Sequence, residues 1–274
     1  MILYHIVILA LVQGITEFLP ISSSGHLLLT HEILERGTGS HPADDLMMDI
    51  AVHIGTLMAV LIYFWRDVLA MLTGLKDLAT GNHKTEGARL DLNVIVSTLP
   101  VIGVGFFLHS YDPSFVRSME IMAWMTLIFG VVLWHADRFP VRQKSLNELT
   151  LKDAFLIGIT QCLALVPGVS RSGITMTAAR YLGFSRERAA HYSLLLAMAS
   201  ISGAGVLGVL DIIESGNAAL GLDAIIAALL AFVSALIVIV VMMRWLRHSS
   251  FTPFAVYRVI LGVALLGLIY TGVL

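Results

Sequence analysis

The chain carries little charge and almost no cysteine. Of its 274 residues only 13% are charged and 57% are hydrophobic, and the mean hydropathy is +0.86, whereas a soluble domain carries about 25% charged residues. This composition excludes an ordinary soluble domain and predicts an integral membrane protein. The single cysteine, Cys162, excludes an intrachain disulfide and a cysteine-cluster metal site. The net charge of -2, without a basic stripe, argues against a nucleic-acid partner.

Basic residues are also missing from the first apolar stretch, in which the first Lys or Arg is Arg36. A secretory signal peptide begins with a positively charged segment, and this stretch also contains Glu17. We therefore expect no cleaved signal peptide, and we interpret the stretch as part of the membrane domain.

Uninterrupted hydrophobic runs occur in six places. A spanning helix needs about 20 mostly apolar residues, and the stretches that meet this length are about 46–65, 91–109, 119–136, 188–211, 221–243 and 253–273. Two further stretches, 2–34 and 153–183, are interrupted near their middles, at 20–25 and 167–173. Since each half is too short to cross a bilayer, we interpret both as re-entrant helical hairpins. Irregular backbone at membrane depth is tolerated where it is buried in protein or lines a cavity.

The two interrupted stretches resemble each other. In each, a glutamine precedes a proline by six or seven residues, and hydroxyl residues and a glycine follow, with matching positions 147 or 148 residues apart. Three spanning stretches follow each hairpin, and an odd number of spans inverts the second copy. The sequence therefore predicts an all-α polytopic membrane protein, one domain over 1–274, with six spanning helices and two re-entrant hairpins. These form two inverted-topology repeats at about 1–136 and 152–274, a layout that indicates a binding site near the midplane.

Lys and Arg are unevenly distributed in this arrangement. One side of the membrane receives 13 of them and the other receives two, Arg36 and Arg117. Positive residues concentrate on the cytoplasmic side, so the richer side is predicted to be cytoplasmic and both termini to lie outside. The first hairpin then enters from outside and the second from the cytoplasm, and their tips can meet within the membrane.

The first polar string runs from Gln13 to His26 and begins with an amide and a carboxylate. Gln13 and Glu17 are four residues apart and share a face of a helix. Their oxygens suit a hard cation such as Mg²⁺ or Ca²⁺ held together with a phosphate. The alternative is a polar pair that joins two helices.

Three serines follow Pro20, which ends the first half-helix. A second half-helix that begins near Ser23 would direct its free N–H groups toward the midplane and attract an anion. His26 lies three residues beyond Ser23, so the two can act as nucleophile and base, or as phosphate donor and proton shuttle. The alternative is that the serines only cap the helix and that His26 is a hydrogen-bonded core residue.

The second string, Pro167 to Thr175, repeats this pattern and adds a permanent positive charge. The guanidinium of Arg171 matches phosphate oxygens, and hydroxyl residues and glycines flank it in sequence. An Arg171–Glu17 ion pair that only neutralises both charges is the alternative. A carboxylate in such an electropositive pocket suggests a metal or proton transfer, and a diphosphate with a divalent cation satisfies every component.

Both strings resemble the motifs of the bacterial undecaprenyl-diphosphate phosphatase family, of the bacitracin-resistance type. The family's first motif, Glu/Gln-x-x-x-Glu followed by Phe-Leu-Pro-x-Ser-Ser-x-Gly-His, runs here from Gln13 to His26 without a gap. The second, Pro-Gly-x-Ser-Arg-Ser-Gly-x-Thr, runs from Pro167 to Thr175. The hydrophobic layout is similar over essentially the whole chain. Glutamine at position 13, which the family permits beside glutamate, leaves Glu17 as the stronger metal ligand.

The resemblance implies hydrolysis of undecaprenyl diphosphate to undecaprenyl phosphate and phosphate at the outer face of the bacterial plasma membrane. This reaction recycles the lipid carrier for peptidoglycan synthesis. The resemblance also implies a divalent cation, Mg²⁺ or Ca²⁺, and a homodimer. The residues expected to be catalytic are Glu17, Ser23, His26 and Arg171. Those expected to bind the cation are Glu17 and Gln13, and those expected to bind substrate are Ser22, Ser24, Gly25, Ser170, Ser172, Gly173 and Thr175.

A transporter or flippase of the polyprenyl phosphate is the alternative function. Inverted repeats with broken helices are typical of transporters, and the same arginine and helix ends would serve a flippase. Ser23 and His26 discriminate between the two, because transport needs binding groups but no nucleophile.

Overall fold

The computed structural model describes residues 3–38, 42–111, 118–139, 143–215 and 221–272. Side chains are described for these residues except 33–38, 42–46, 109–110, 204–215 and 221. Arg117 and Arg142, which both enter the charge count, lie outside the described residues. Within those ranges the chain forms eleven α-helices and no named strand.

The first half of the chain contains six of these helices. They are α1 (Leu3–Thr16), α2 (Ser23–Thr38), α3 (Pro42–Tyr63), α4 (Trp65–Ala79), α5 (Glu86–Tyr111) and α6 (Met119–Arg138). The second half contains α7 (Leu151–Gln161), α8 (Arg171–Tyr181), α9 (Arg186–Ser215), α10 (Gly221–His248) and α11 (Thr252–Tyr270). Short 3-10 turns precede and follow α7, at Leu146–Glu148 and Cys162–Leu165.

All six predicted spanning stretches are helical, as α3, α5, α6, α9, α10 and α11. Four helices of the described part are long and apolar enough to cross a membrane: α5, α6, α10 and α11. A fifth span results if α3 and α4, which meet at an angle of 87°, are taken as one broken span. The protein is therefore a multi-pass helical membrane protein, and the arrangement with six spans and two re-entrant hairpins remains a prediction.

Helix α4 was not predicted from the sequence. Its acidic Asp67 lies in the first turn and its basic Lys76 in the last, which complements the helix dipole. It packs closely on α5, where a Cβ on Gly74 would clash with the backbone of Gly87. Helix α4 has 15 residues and contains Arg66, Asp67, Lys76 and Asp77, so a search for apolar runs of about 20 residues does not find it.

The two halves exchange contacts across the molecule. Helix α1 packs along α10, and α7 packs along α5. Both contacts are close: a Cβ on Gly14 would clash with Ser234 and the carbonyl of Ala231, and one on Gly158 would lie 2.6 Å from the carbonyl oxygen of Ser97. Helix α6 packs along α11, and the buried early part of α9 contacts α3, α5, α8 and α10. Each interrupted segment is thereby held by helices of the other half.

Candidate active site

The two polar strings form the turns between consecutive short helices. Helix α1 ends at Thr16, residues 17–21 form a turn, and α2 starts at Ser23. In the second string Ser170 caps α8, since its Oγ accepts a hydrogen bond from Gly173 N at 3.1 Å. Both helices thus begin at the hydroxyl residues where the sequence predicts half-helix starts.

Corresponding serines in the two strings share an unusual backbone conformation. Ser22 has φ 74° and Ser170 has φ 71°, in the left-handed region that serine rarely adopts. Each hydroxyl lies near that of the serine two residues on, at 3.4 Å for Ser22 and Ser24 and 3.1 Å for Ser170 and Ser172. Such strain costs about 1–3 kcal/mol per residue and concentrates at functional sites.

Glu17 joins the two strings. Its Oε1 accepts a hydrogen bond from Arg171 Nη2 at 2.7 Å. Its Oε2 accepts from Ser23 Oγ at 2.7 Å and from Gln13 Nε2 at 2.9 Å. Glu17 and Gln13 are buried, so the carboxylate is held by fixed donors rather than by bulk water. The predicted proximity of Glu17 and Arg171 is therefore observed.

A cavity of about 240 Å³ opens at this centre. The predicted residues that line it are Glu17, Ser22, Ser23, Ser24, Ser170, Arg171 and Ser172, and the others are His53, Ala164, Ser200 and Ile201. Its wall therefore presents a carboxylate, a guanidinium and several hydroxyl groups together, a set suited to the charged oxygens of a phosphate ester.

Three residues expected to contact substrate do not line the cavity. Thr175 is buried, and its hydroxyl bonds to the carbonyl of Arg171 at 2.9 Å and to Ser193 Oγ at 2.7 Å. A Cβ on Gly173 would lie 2.8 Å from Arg258 Nη1, and one on Gly25 would lie 3.2 Å from Met122 Sδ. These three residues pack closely behind the cavity wall. The spacing of residues in a motif cannot show whether a residue packs behind a site or contacts the substrate.

The expected pairing of Ser23 with His26 is not formed among the described contacts. His26 Nδ1 lies 2.7 Å from the carbonyl oxygen of Ser22, and Nε2 lies 2.6 Å from the hydroxyl of Tyr257. The imidazole also stacks on the Tyr257 ring. The imidazole of His26 is therefore held by Tyr257, which is 231 residues away in sequence. The sequence alone suggested only the nearby Ser23 as its partner. Ser23 instead donates to Glu17.

The sequence reasoning left Arg258 unassigned, and the structure places its side chain between the two strings. It is completely buried, and its guanidinium donates to main-chain carbonyls of both strings, Gly168 at 2.7 Å and Pro20 at 3.4 Å. It also donates to the carbonyls of Thr126 and Met125 on α6, at 3.3 and 3.4 Å. A single side chain of α11 thus ties the two turns together. The sequence feature that could have identified Arg258 is its position as a charged residue inside an apolar segment, where charges usually have a specific role.

His53 is a second residue that the sequence analysis did not assign to the site. The structure places it on the cavity wall, with Nε2 3.9 Å from Glu17 Oε2. Its Nδ1 lies 2.6 Å from the carbonyl oxygen of Asp49, one turn earlier on α3. The first string, the second string and α3 therefore all contribute polar side chains to the centre.

The chain is similar to known proteins over nearly its full length. Residues 6–264 match the family described as bacitracin resistance protein BacA. An undecaprenyl-diphosphatase of Ruegeria pomeroyi is 45% identical over 272 residues, covering 99% of this chain and 100% of that protein. One of Jannaschia sp. is 46% identical over 276 residues, covering 98% and 100%. Undecaprenyl-diphosphatase 1 of Rhodospirillum rubrum is 44% identical over 274 residues, covering 99% and 97%.

Proposed function

The chain belongs to the BacA family of bacitracin resistance proteins, and we propose that it hydrolyses undecaprenyl diphosphate to undecaprenyl phosphate and phosphate. Its full-length relatives carry the name undecaprenyl-diphosphatase. The observation that carries the proposal for the site is the hydrogen-bonded set of Arg171, Glu17 and Ser23 on one cavity wall. This activity regenerates the lipid carrier of cell-wall synthesis and is the basis of bacitracin resistance in the family.

Arg171 and the two helix starts bind the diphosphate. The guanidinium is fixed at Glu17 Oε1 and at the carbonyl of Ser193, the latter at 3.3 Å, so its remaining donors are available to phosphate oxygens. The hydroxyls of Ser22 and Ser24 add further donors on the same wall. Ser170 and Ser172 also line this wall, but the Ser172 hydroxyl donates to the carbonyl of Leu19 at 2.8 Å. Donors held in place before the reaction stabilise the charge that develops in the transition state.

Ser23 is the proposed nucleophile and Glu17 its proton acceptor. The Ser23 hydroxyl donates to Glu17 Oε2 at 2.7 Å, within reach for transfer of that proton. Attack by Ser23 Oγ on the terminal phosphorus forms a phosphoserine and breaks the bond to the bridging oxygen, which leaves with undecaprenyl phosphate. Water then hydrolyses the phosphoserine, releases phosphate and restores both side chains. A water molecule that attacks directly in the same position is the alternative route.

His26 acts as a positioning residue in this mechanism. Its Nδ1 holds the carbonyl of Ser22, the residue before the nucleophile, and its Nε2 is held by Tyr257. It thereby supports the left-handed conformation of Ser22 at the start of α2.

A divalent cation, Mg²⁺ or Ca²⁺, fits the residues at Glu17. The Oε1 atom of Gln13 is buried without a hydrogen-bond partner, next to a carboxylate, and oxygen donors suit hard cations. Among the described residues there is no group of three or more His, Cys, Asp or Glu that could hold a metal, so phosphate oxygens of the substrate would complete its coordination. When bound, the cation neutralises charge on the diphosphate. Gln13 and Glu17 are the residues proposed to hold it.

The proposed architecture has six spans and two re-entrant hairpins in two inverted repeats. The exchanged contacts support it, because α1 packs on α10 as α7 packs on α5. The matched backbone of Ser22 and Ser170 supports it as well. A site that opens to the outer face is proposed from the family resemblance. A homodimer is proposed from the family resemblance alone.

Transport of a polyprenyl phosphate is the less favoured function. Transport would use Arg171 and the helix ends to bind the phosphate. It needs no nucleophile, however, and so does not account for the hydrogen bond from Ser23 to Glu17.

Hydrolysis is tested by measuring phosphate release from undecaprenyl diphosphate by the purified protein in detergent. We expect release with Mg²⁺ or Ca²⁺ present and its loss when a chelator is added. A protein that releases no phosphate with either cation contradicts the hydrolase proposal. Phosphate release that persists with a chelator present would exclude a role for the divalent cation but would leave the hydrolase proposal standing.

A further inference from the structure

His53 presents one ring nitrogen to the reaction centre. Its Nδ1 lies 2.6 Å from the carbonyl oxygen of Asp49, and because a carbonyl only accepts, Nδ1 carries the proton. When the ring is neutral, the lone pair is at Nε2, which lies on the cavity wall that His53 shares with Glu17. Histidines that bind metals usually hold their other ring N–H on a carbonyl or carboxylate in this way.

The spacing between His53 and Glu17 suits two ligands of one ion. Two donors bound at about 2.1 Å from a cation stand at most about 4.2 Å apart, and Nε2 of His53 lies 3.9 Å from Oε2 of Glu17. His26 differs, because its Nδ1 and Nε2 are within hydrogen-bond distance of the Ser22 carbonyl and the Tyr257 hydroxyl.

We propose that His53 binds the catalytic divalent cation together with Glu17. The inference rests on the proposed function, since it concerns the cation of that reaction, and it adds a nitrogen ligand to an otherwise oxygen-donor site. Imidazole favours transition metals, whereas Ca²⁺ prefers oxygen. The site should therefore bind Mn²⁺ or Co²⁺ more tightly than Ca²⁺.

The cation and the diphosphate should bind together. Glu17 and His53 supply two ligands, so the diphosphate oxygens must complete the shell. Mn²⁺ should consequently bind more tightly when methylenediphosphonate, a non-hydrolysable diphosphate, is present.

The direct test is pulsed EPR of the full-length protein loaded with Mn²⁺ and methylenediphosphonate. We expect imidazole ¹⁴N modulation in the wild type and its loss in His53→Leu. His53 is about one-third exposed (36%), so truncation leaves no large core cavity, and an unchanged melting temperature checks the fold. The matched control is His31→Gln, which removes an imidazole that also contacts Asp49, at Oδ1 (3.0 Å), but that does not line the cavity. That variant should keep the signal.

A second measurement compares cation affinities in His53→Gln, which replaces the nitrogen ligand by an amide. The affinity for Mn²⁺ should fall about tenfold or more, while the affinity for Ca²⁺ should change little. The ratio of Mn²⁺ to Ca²⁺ affinity should therefore be smaller in the variant than in the wild type. The proposal is overturned if ¹⁴N modulation is absent from the wild type or persists in His53→Leu, or if Mn²⁺ does not bind. The proposed hydrolysis is judged separately, by phosphate release from the wild type.

Discussion

Glu17 is shared by groups from three parts of the chain. Arg171 of the second string, Ser23 beyond the turn and Gln13 on the preceding helix all donate to its carboxylate. Each donor would be costly to leave unpaired at membrane depth, and each is satisfied without a phosphate ligand. The carboxylate of Glu17 is thereby held in one orientation where the two strings meet.

Replacing Ser23 by alanine separates the two possible nucleophiles. If Ser23 attacks phosphorus, Ser23→Ala should lower the rate of phosphate release by about 10³-fold or more. Its side chain is only partly buried, so the melting temperature should hardly change. A variant that turns over at the wild-type rate would exclude Ser23 as nucleophile and favour attack by water.

The residue types of the site and the pairing of Glu17 with Arg171 could be predicted, but the partners of the other residues could not. Glu17, Ser23 and Arg171 stand out because they are polar residues in apolar sequence, and this signal is local. The partner of His26 is Tyr257, on α11, and the carbonyls that Arg258 binds lie on α6 and in both turns. Such contacts depend on how distant helices pack, which a single sequence does not specify. For the same reason His53 could not be distinguished from a packing histidine.

At the scale of elements, the site depends on two turns that are held at fixed positions. The buried guanidinium of Arg258 supplies donors to main-chain carbonyls of both turns and of α6. Buried carbonyls without partners would destabilise irregular backbone inside a membrane protein. A side chain of α11 thus helps to position the two turns that precede α2 and α8.

Replacing Arg258 by methionine should therefore be severely destabilising. Each carbonyl left unpaired costs about 1–3 kcal/mol, so the free energy of unfolding should fall by about 3 kcal/mol or more, and phosphate release should fall with it. Thermal unfolding in detergent measures the effect. Arg138→Met, which removes an exposed arginine stacked over Trp134, is the control. Equal melting temperatures for the two variants would contradict the role assigned to Arg258.

The contact between α7 and α5 depends on the absence of a side chain at Gly158. A Cβ there would lie 2.6 Å from the carbonyl oxygen of Ser97, whereas one on Gly103, also in a helix, would have open space around it. Gly158→Ala should cost about 1–3 kcal/mol of stability through overpacking, and Gly103→Ala should be neutral or slightly stabilising. A melting temperature of Gly158→Ala at or above that of Gly103→Ala would show that the helices are less closely packed.

The long apolar helices could be located from the sequence, but the short helix α4 and its angle to α3 could not. Length and hydropathy located α5, α6, α10 and α11, because these criteria follow from the thickness of the bilayer. They missed α4, which has 15 residues and passes the spanning test only together with α3, and the 87° angle between these two helices. Both depend on packing against α5 rather than on composition.

At the scale of the whole molecule, the two halves support each other's interrupted segment. Because α1 packs on α10 and α7 on α5, neither half contains a complete site or a complete set of contacts. The charge asymmetry then predicts a cytoplasmic turn between α4 and α5 and an outer C-terminus.

Reporter fusions test this orientation. An alkaline phosphatase reporter that is active only outside the cytoplasm should be active at Leu274 and inactive when inserted at Asn82, in the exposed turn after α4. A fluorescent reporter that requires the cytoplasm should give the opposite pattern. Phosphatase activity at Asn82, with none at Leu274, would invert the assigned orientation and move the site opening to the cytoplasmic face.

The central claim, that both strings build one reaction centre, is tested most directly by a double-mutant cycle on phosphate release from undecaprenyl diphosphate. Glu17→Gln and Arg171→Lys are measured singly and together, with Arg66→Lys, at an exposed position, as control. Since the two side chains meet at 2.7 Å, their effects should couple by about 0.5–3 kcal/mol, and the double variant should be little slower than the slower single one. Losses that simply multiply would contradict a shared centre.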